Sequence, residues 1–158
     1  MEQSTNTPAW FRVSEVELVY RTKVKASERP CVRQSKDIYE LFIKLWEDGK
    51  IDMVEQFNVL LLSRGNKILG IFRASTGGIT GTVADPRLIF AAAIKANAVS
   101  IILAHNHPSG NVKPSRSDED LTMKIKEAGS FLDIKVMDHL IITSEGYFSF
   151  ADEGLILG

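Results

Sequence analysis

Apolar and polar residues alternate from Val13 to Val24, with Val16, Leu18 and Tyr20 on one side, a period of two that predicts a strand. The period lengthens after Asp37. Ile38, Leu41, Phe42 and Leu45 form the stripe of a helix, Asp37 and Glu40 stand at capping-box spacing, and Gly49 is the expected stop. Phe57–Leu62 and Lys67–Phe72 are apolar runs on either side of Ser63-Arg64-Gly65-Asn66, which predicts a hairpin. A short strand is expected near Ile79 to Val83. Asp85-Pro86 then opens a helix over Arg87 to Ala96, with Leu88, Ala91, Ala92 and the stem of Lys95 inward. Ser100–His105 is a continuous apolar run, as expected of a strand covered on both faces. A helix over Ser117 to Ala128 presents Leu121, Ile125 and Ala128 together, and Ile134–Thr143 and Tyr147–Phe150 are closing strands. The order predicts an α/β single domain, a mixed central sheet flanked by helices, over residues 13–158 behind a flexible N-terminal tail at 1–12.

Composition narrows the functions. At 158 residues, 44% hydrophobic and 25% charged, the chain reads as one ordinary globular domain large enough to fold without a structural metal. Its net charge of −1 gives no field to attract a polyanion. The local basic run Arg21, Lys23, Lys25, Arg29, Arg33 and Lys36 lacks interleaved aromatics and reads as a solvated strand and loop, so charge does not support a nucleic-acid partner. Cys31 is the sole cysteine, which excludes an internal disulfide and a thiolate cage. Met1 to Pro8 lack the apolar core of a signal peptide, and no run reaches membrane-spanning length, so the expected compartment is the cytoplasm.

The candidate chemistry lies in the stretch 105–118. His105 and His107 are two apart at the end of an extended run, so both rings project to one side. Asp118 stands at the start of the next helix, beyond a loop rich in Pro and Gly that reverses the chain. Two imidazoles and a carboxylate are a usual first shell for catalytic zinc, with a position left for water. The rival reading makes the histidines hydrogen-bonded loop residues and Ser115-x-x-Asp118 a capping box, and the two roles of the last pair are partly compatible. Among the carboxylates that could serve as base, Glu40, Glu47, Glu55, Glu119 and Glu127, composition singles out none. Glu55 alone sits just before an apolar strand, which would turn it to the metal if that strand lay beside Ser100–His105. His-Asn-His in a row is not the scattered motif of HNH nucleases, and a zinc deaminase needs cysteines that are missing here.

In these residues the sequence resembles the RadC-like branch of the JAMM/MPN (JAB) metalloprotease superfamily. The shared pattern is Glu55, His105-Asn106-His107-Pro108, Ser115 and Asp118, supported by Gln56-Phe57-Asn58-Val59-Leu60-Leu61-Leu62, Ser109-Gly110, Pro86-Arg87, Asp138-His139-Leu140-Ile141-Ile142 and Tyr147-Phe148-Ser149-Phe150. The resemblance spans roughly Val13 to Ile156 and implies a cytidine-deaminase-like fold with one Zn²⁺ per chain. It further implies His105, His107 and Asp118 as ligands, Glu55 as general base, and Ser115 as a donor to the oxyanion of a tetrahedral intermediate. Peptide or isopeptide bonds in a protein tail are the substrates it suggests, and the branch carries a DNA-repair association. Longer relatives precede this domain with a helix-hairpin-helix region that has no counterpart here, which weakens the expectation of direct DNA binding. Leu88 replaces a Glu that often follows Pro-Arg. Asp138-His139 are expected to serve sheet hydrogen bonding or to support a ligand rather than to catalyse. The competing function is a non-enzymatic interaction module in DNA repair or mobile-element maintenance, and a metal-dependent nuclease fits a single His/His/Asp site poorly. Gly77-Gly78 and the Asn106–Pro114 loop are candidate mobile elements. The oligomeric state is not legible.

Overall fold

The computed structural model describes residues 8–77 and 83–156. Helix α1 (Ser35–Leu45) precedes the hairpin of β1 (Gln56–Leu62) and β2 (Ile68–Thr76). Helix α2 (Pro86–Lys95), strand β3 (Ser100–Asn106), helix α3 (Arg116–Phe131) and strands β4 (Lys135–Ile142) and β5 (Tyr147–Ser149) follow. The strands form one mixed sheet in the order β2-β1-β3-β4-β5, antiparallel except for the β3–β4 pair, which α3 connects. This is the single α/β domain that the patterning predicts.

Alternate residues of the central strands feed two cores. Phe57, Val59 and Leu61 of β1 with Ile101 and Leu103 of β3 pack on Ile89, Phe90 and Ala93 of α2 and Ile125 of α3. Leu60, Leu62, Ile102, Ala104, Leu140 and Ile142 face the other way, onto Ile38 and Phe42 of α1 and onto Trp46. Each buried Val, Leu, Ile or Phe among them contributes roughly 1.5–3 kcal/mol, enough to fix the register of a strand whose one-residue slip would exchange the two faces. The hairpin turns through Asn66 at φ 58°, the left-handed region that Asn tolerates.

Four expectations are corrected. Val13 to Val24 form no strand: Val13, Val16 and Leu18 are 88%, 85% and 74% exposed, and alternation without a paired neighbour leaves the backbone unlatched. At the free edge of β2 a bridge joins Cys31 to Lys67, just ahead of the strand, and from this segment the Tyr20 hydroxyl donates to the Leu69 carbonyl at 2.6 Å. Second, α1 begins at Ser35 without a side-chain cap, and Asp37 instead accepts from Arg33 N at 3.1 Å. Its end is at Leu45, with Trp46 as the C-cap, before Gly49 is reached. Third, α2 buries Ile89, Phe90 and Ala93, while Leu88 is 54% exposed and Ala91 and Lys95 face outward. Leu88 to Ile94 are apolar without a break, so the sequence marks the helix but not its phase. Finally, α3 runs three residues beyond Ala128. The strand expected at Ile79 to Val83 lies, but for Val83, outside the described residues, as do Met1 to Thr7 and Gly78. Val83 itself is not in a strand.

Candidate metal centre

Strand β3 delivers both histidines. His105 is on the α3 side of the sheet and buried, and His107 follows just past the strand end, half-buried. The loop then turns at Gly110, whose φ of 85° suits a residue without Cβ, and Gly110 N donates to the His107 carbonyl. Within this loop Lys113 N donates to Asn111 Oδ1, and His107 Nδ1 lies 2.6 Å from the Asn111 carbonyl. A carbonyl only accepts, so Nδ1 carries a proton toward it and Nε2 is the nitrogen turned inward.

Helix α3 starts at Ser115, its N-cap, in a reciprocal box: Asp118 N donates to Ser115 Oγ at 3.0 Å and Ser115 N donates to Asp118 Oδ2 at 2.9 Å. The capping-box reading of this pair is thus borne out. The box fixes Asp118 with Oδ1 3.3 Å from His105 Nε2 and Oδ2 3.4 Å from His107 Nε2, and the two Nε2 atoms are 3.0 Å apart. Ser115 is exposed at the helix mouth, and as an acceptor from Asp118 N it keeps its hydroxyl hydrogen for another partner.

The antiparallel register of β1 and β3 pairs Phe57 with His105. Two residues back from one and two on from the other, Glu55 comes level with His107. One ligand-type atom from each of Glu55, His105, His107 and Asp118 lies within 4.8 Å of all the others. Two imidazoles and two carboxylates are a donor set that suits a divalent ion.

Protonation follows from this crowding. Burial pushes the Glu55 carboxyl up, against the pull of His105 and His107. Burial also works on Asp118, but its hydrogen bonds with His105 and His107 prevail and hold it far below the usual carboxylate range. The Asp118 hydrogen bond raises His107, against partial desolvation. Full burial drives His139 well below the ordinary histidine value, so it is neutral.

Three supporting residues complete the site. Asn106, between the histidines, accepts from Gln56 N at 2.7 Å and donates to the carbonyls of Ile51 and Val54 at 2.7 and 2.9 Å. His139 on β4 lies 2.7 Å from His105 Nδ1 and 2.6 Å from the Thr122 hydroxyl. Asn106 and Thr122 were not legible as site residues. The usable signal was a polar residue inside an apolar strand or stripe, which burial obliges to find partners. Asp138 does sheet work: it accepts from His139 N, Ala151 N and the Ser149 hydroxyl, tying β4 to the turn after β5.

A mixed sheet with helices on both faces thus carries, at the mouth of α3, a His/His/Asp/Glu cluster that could hold a metal ion, the arrangement of a domain of the JAB type. The description "RadC-like JAB domain" fits residues 32–155, and the chain belongs to that family. It is 43% identical over 151 residues to the UPF0758 protein of Rubrobacter xylanophilus, covering 94% of this chain and 64% of that protein. To the UPF0758 protein of Flavobacterium johnsoniae it is 50% identical over 101 residues, 64% of this chain and 44% of that one. A UPF0758 protein of Porphyromonas gingivalis is likewise 50% identical over 103 residues, 65% of this chain and 45% of that protein. The chain thus spans about half the length of the curated relatives it matches. Among the described residues no helix is long and apolar enough to cross a membrane.

Proposed function

We propose that the domain is a zinc-dependent hydrolase of the metallopeptidase or isopeptidase kind, acting on a peptide or protein tail. The observation that carries this reading is the convergence of Glu55, His105, His107 and Asp118 within 4.8 Å. His105, His107 and Asp118 would hold the ion, three protein ligands with a position to spare. When bound, zinc supplies Lewis acidity for a scissile carbonyl and brings the pKa of water to about 7. Glu55 takes the proton of the attacking water and passes it to the leaving amine, and its raised pKa suits both acts. The Ser115 hydroxyl donates to the oxyanion of the tetrahedral intermediate.

Elemental analysis of the purified protein tests the metal: about one zinc per chain is expected, and its loss in His107→Ala. Glu55→Gln should keep the metal and lose hydrolysis of a peptide library by ~10²–10⁴-fold. Hydrolysis retained in that variant removes Glu55 from the role of base. Failure to take up zinc at neutral pH would leave an interaction module on the same fold as the reading.

A further inference from the structure

We propose that His139 is a positioning residue that fixes the proton of His105 on Nδ1, and that it takes this instruction from the backbone of α3 through Thr122. The polarity can be read link by link. The Thr122 hydroxyl lies 2.7 Å from the Asp118 carbonyl, four residues earlier in the helix, and a carbonyl only accepts. The hydroxyl hydrogen is committed there, so Thr122 Oγ1 must accept from His139 Nδ1 at 2.6 Å. His139 has no exposed surface, its ring stacked on Phe150 with centroids 4.8 Å apart and edge-on to Phe57 at 5.5 Å. An imidazole so enclosed stays neutral and carries one proton. With that proton on Nδ1, His139 Nε2 is bare and accepts from His105 Nδ1 at 2.7 Å. His105 Nε2 is then the nitrogen turned to His107 and Asp118.

The route starts and ends on residues of the cluster, and it depends on an irregularity in β4. The β3–β4 register slips at Met137: Ile101 faces Val136, but Ile102 faces Asp138 and Leu103 faces His139. In an unbroken register, with Met137 opposite Ile102, His139 would pair with Ala104 and point to the α1 side. The bulge turns it to the face of Leu103 and His105, the re-aiming of a side chain that bulges perform.

The hydrogen bond that holds a proton on His105 Nδ1 is made within the protein, whereas its effect on affinity rests on the proposed zinc site. The test uses the whole ¹⁵N-labelled chain without metal, in which only 3 histidines need to be assigned in long-range ¹H–¹⁵N spectra. Protons on Nδ1 of both His105 and His139 are expected. Thr122→Val keeps the side-chain shape but cuts the anchor, so His105 should become a mixture of tautomers. Zinc affinity should then fall by ~10–100-fold, the usual effect of losing an outer partner. His139→Phe should act alike, and His139→Gln, which can accept from His105 and donate to Thr122, should restore most of the affinity. A His105 Nδ1 without a proton in the wild type, or unchanged spectra in Thr122→Val, would overturn the proposal. The expected tautomer in a protein that takes up no zinc would uphold it and sink the metal reading instead.

Discussion

Asn106 grips the chain on both sides of Glu55. Its side chain accepts from Gln56 N and donates to the Val54 carbonyl, so the residue between the two histidines sets where the carboxylate of Glu55 is presented. The residues that would hold a metal and the residue that would use it are registered by one side chain.

Asn106→Leu should therefore separate binding from turnover. Zinc uptake should persist, while hydrolysis falls by ~10²-fold because the base is displaced. Stability should drop by about 1–3 kcal/mol, since Gln56 N and two carbonyls lose their partners. Urea denaturation beside zinc analysis checks both, and an unchanged rate would deny Asn106 any influence on Glu55.

Protons and metal should compete at His107. Its pKa is raised, foremost by the hydrogen bond to Asp118, so zinc binding should release a proton and weaken by up to ~10-fold per pH unit below the raised value. In the metal-free protein His107 stabilises the fold fully below its unfolded value near 6.5 and ceases to do so as pH rises through the raised one. Asp118, depressed from 3.8, contributes above that value and fails only as pH falls through its lowered pKa. Thermal melting without metal should thus be highest in the mildly acid window between these values, and zinc should abolish the decline on the alkaline side.

Gly129→Ala probes the seat of α3. A Cβ there would collide with the Ile134 carbonyl oxygen, a backbone atom with no freedom to swing away. The overpacking cost of about 1–3 kcal/mol should outweigh the gain in helix propensity of up to about 1 kcal/mol. A lower urea midpoint is expected, and a rise would mean that the α3–β4 turn yields.

Asp138 should behave as a hydrogen-bond hub rather than as a needed charge. Burial raises its pKa despite the bonds from Ser149, Ala151 and His139. A raised carboxyl stabilises below its unfolded value of 3.8, and that contribution is lost as pH rises through the folded one. Asp138→Asn retains an oxygen for His139 N and Ala151 N, so its stability at neutral pH should match the wild type within about 1 kcal/mol. Asp138→Ala strands three donors and should lose about 3 kcal/mol. Calorimetry at neutral pH compares the two.

What was legible divides along physical lines. Ser100–His105 was readable because a strand buried on both faces needs an unbroken apolar run, and β1 followed from the hairpin turn. The placing of Glu55 followed in turn from β1 lying beside β3. Val13–Val24 misled because a period of two describes a face and says nothing of a partner. In α2 the apolar run hid the phase, as no polar residue marked the outer side. The roles of Thr122 and His139 depend on a one-residue bulge at Met137, which has no signature in a strand whose alternation is already blurred by Asp138 and His139.

The cluster is assembled from unequal distances along the chain. His105, His107 and Asp118 belong to one short strand–loop–helix segment, whose closure costs little entropy. Glu55 joins only when β1 pairs with β3, a contact between residues 50 apart, such as Gln56 and Asn106. A chain partway through folding would hold the local trio before the carboxylate arrived. Under the proposed function such a species is loaded but inert, so the order of assembly itself withholds proteolysis until the sheet is complete.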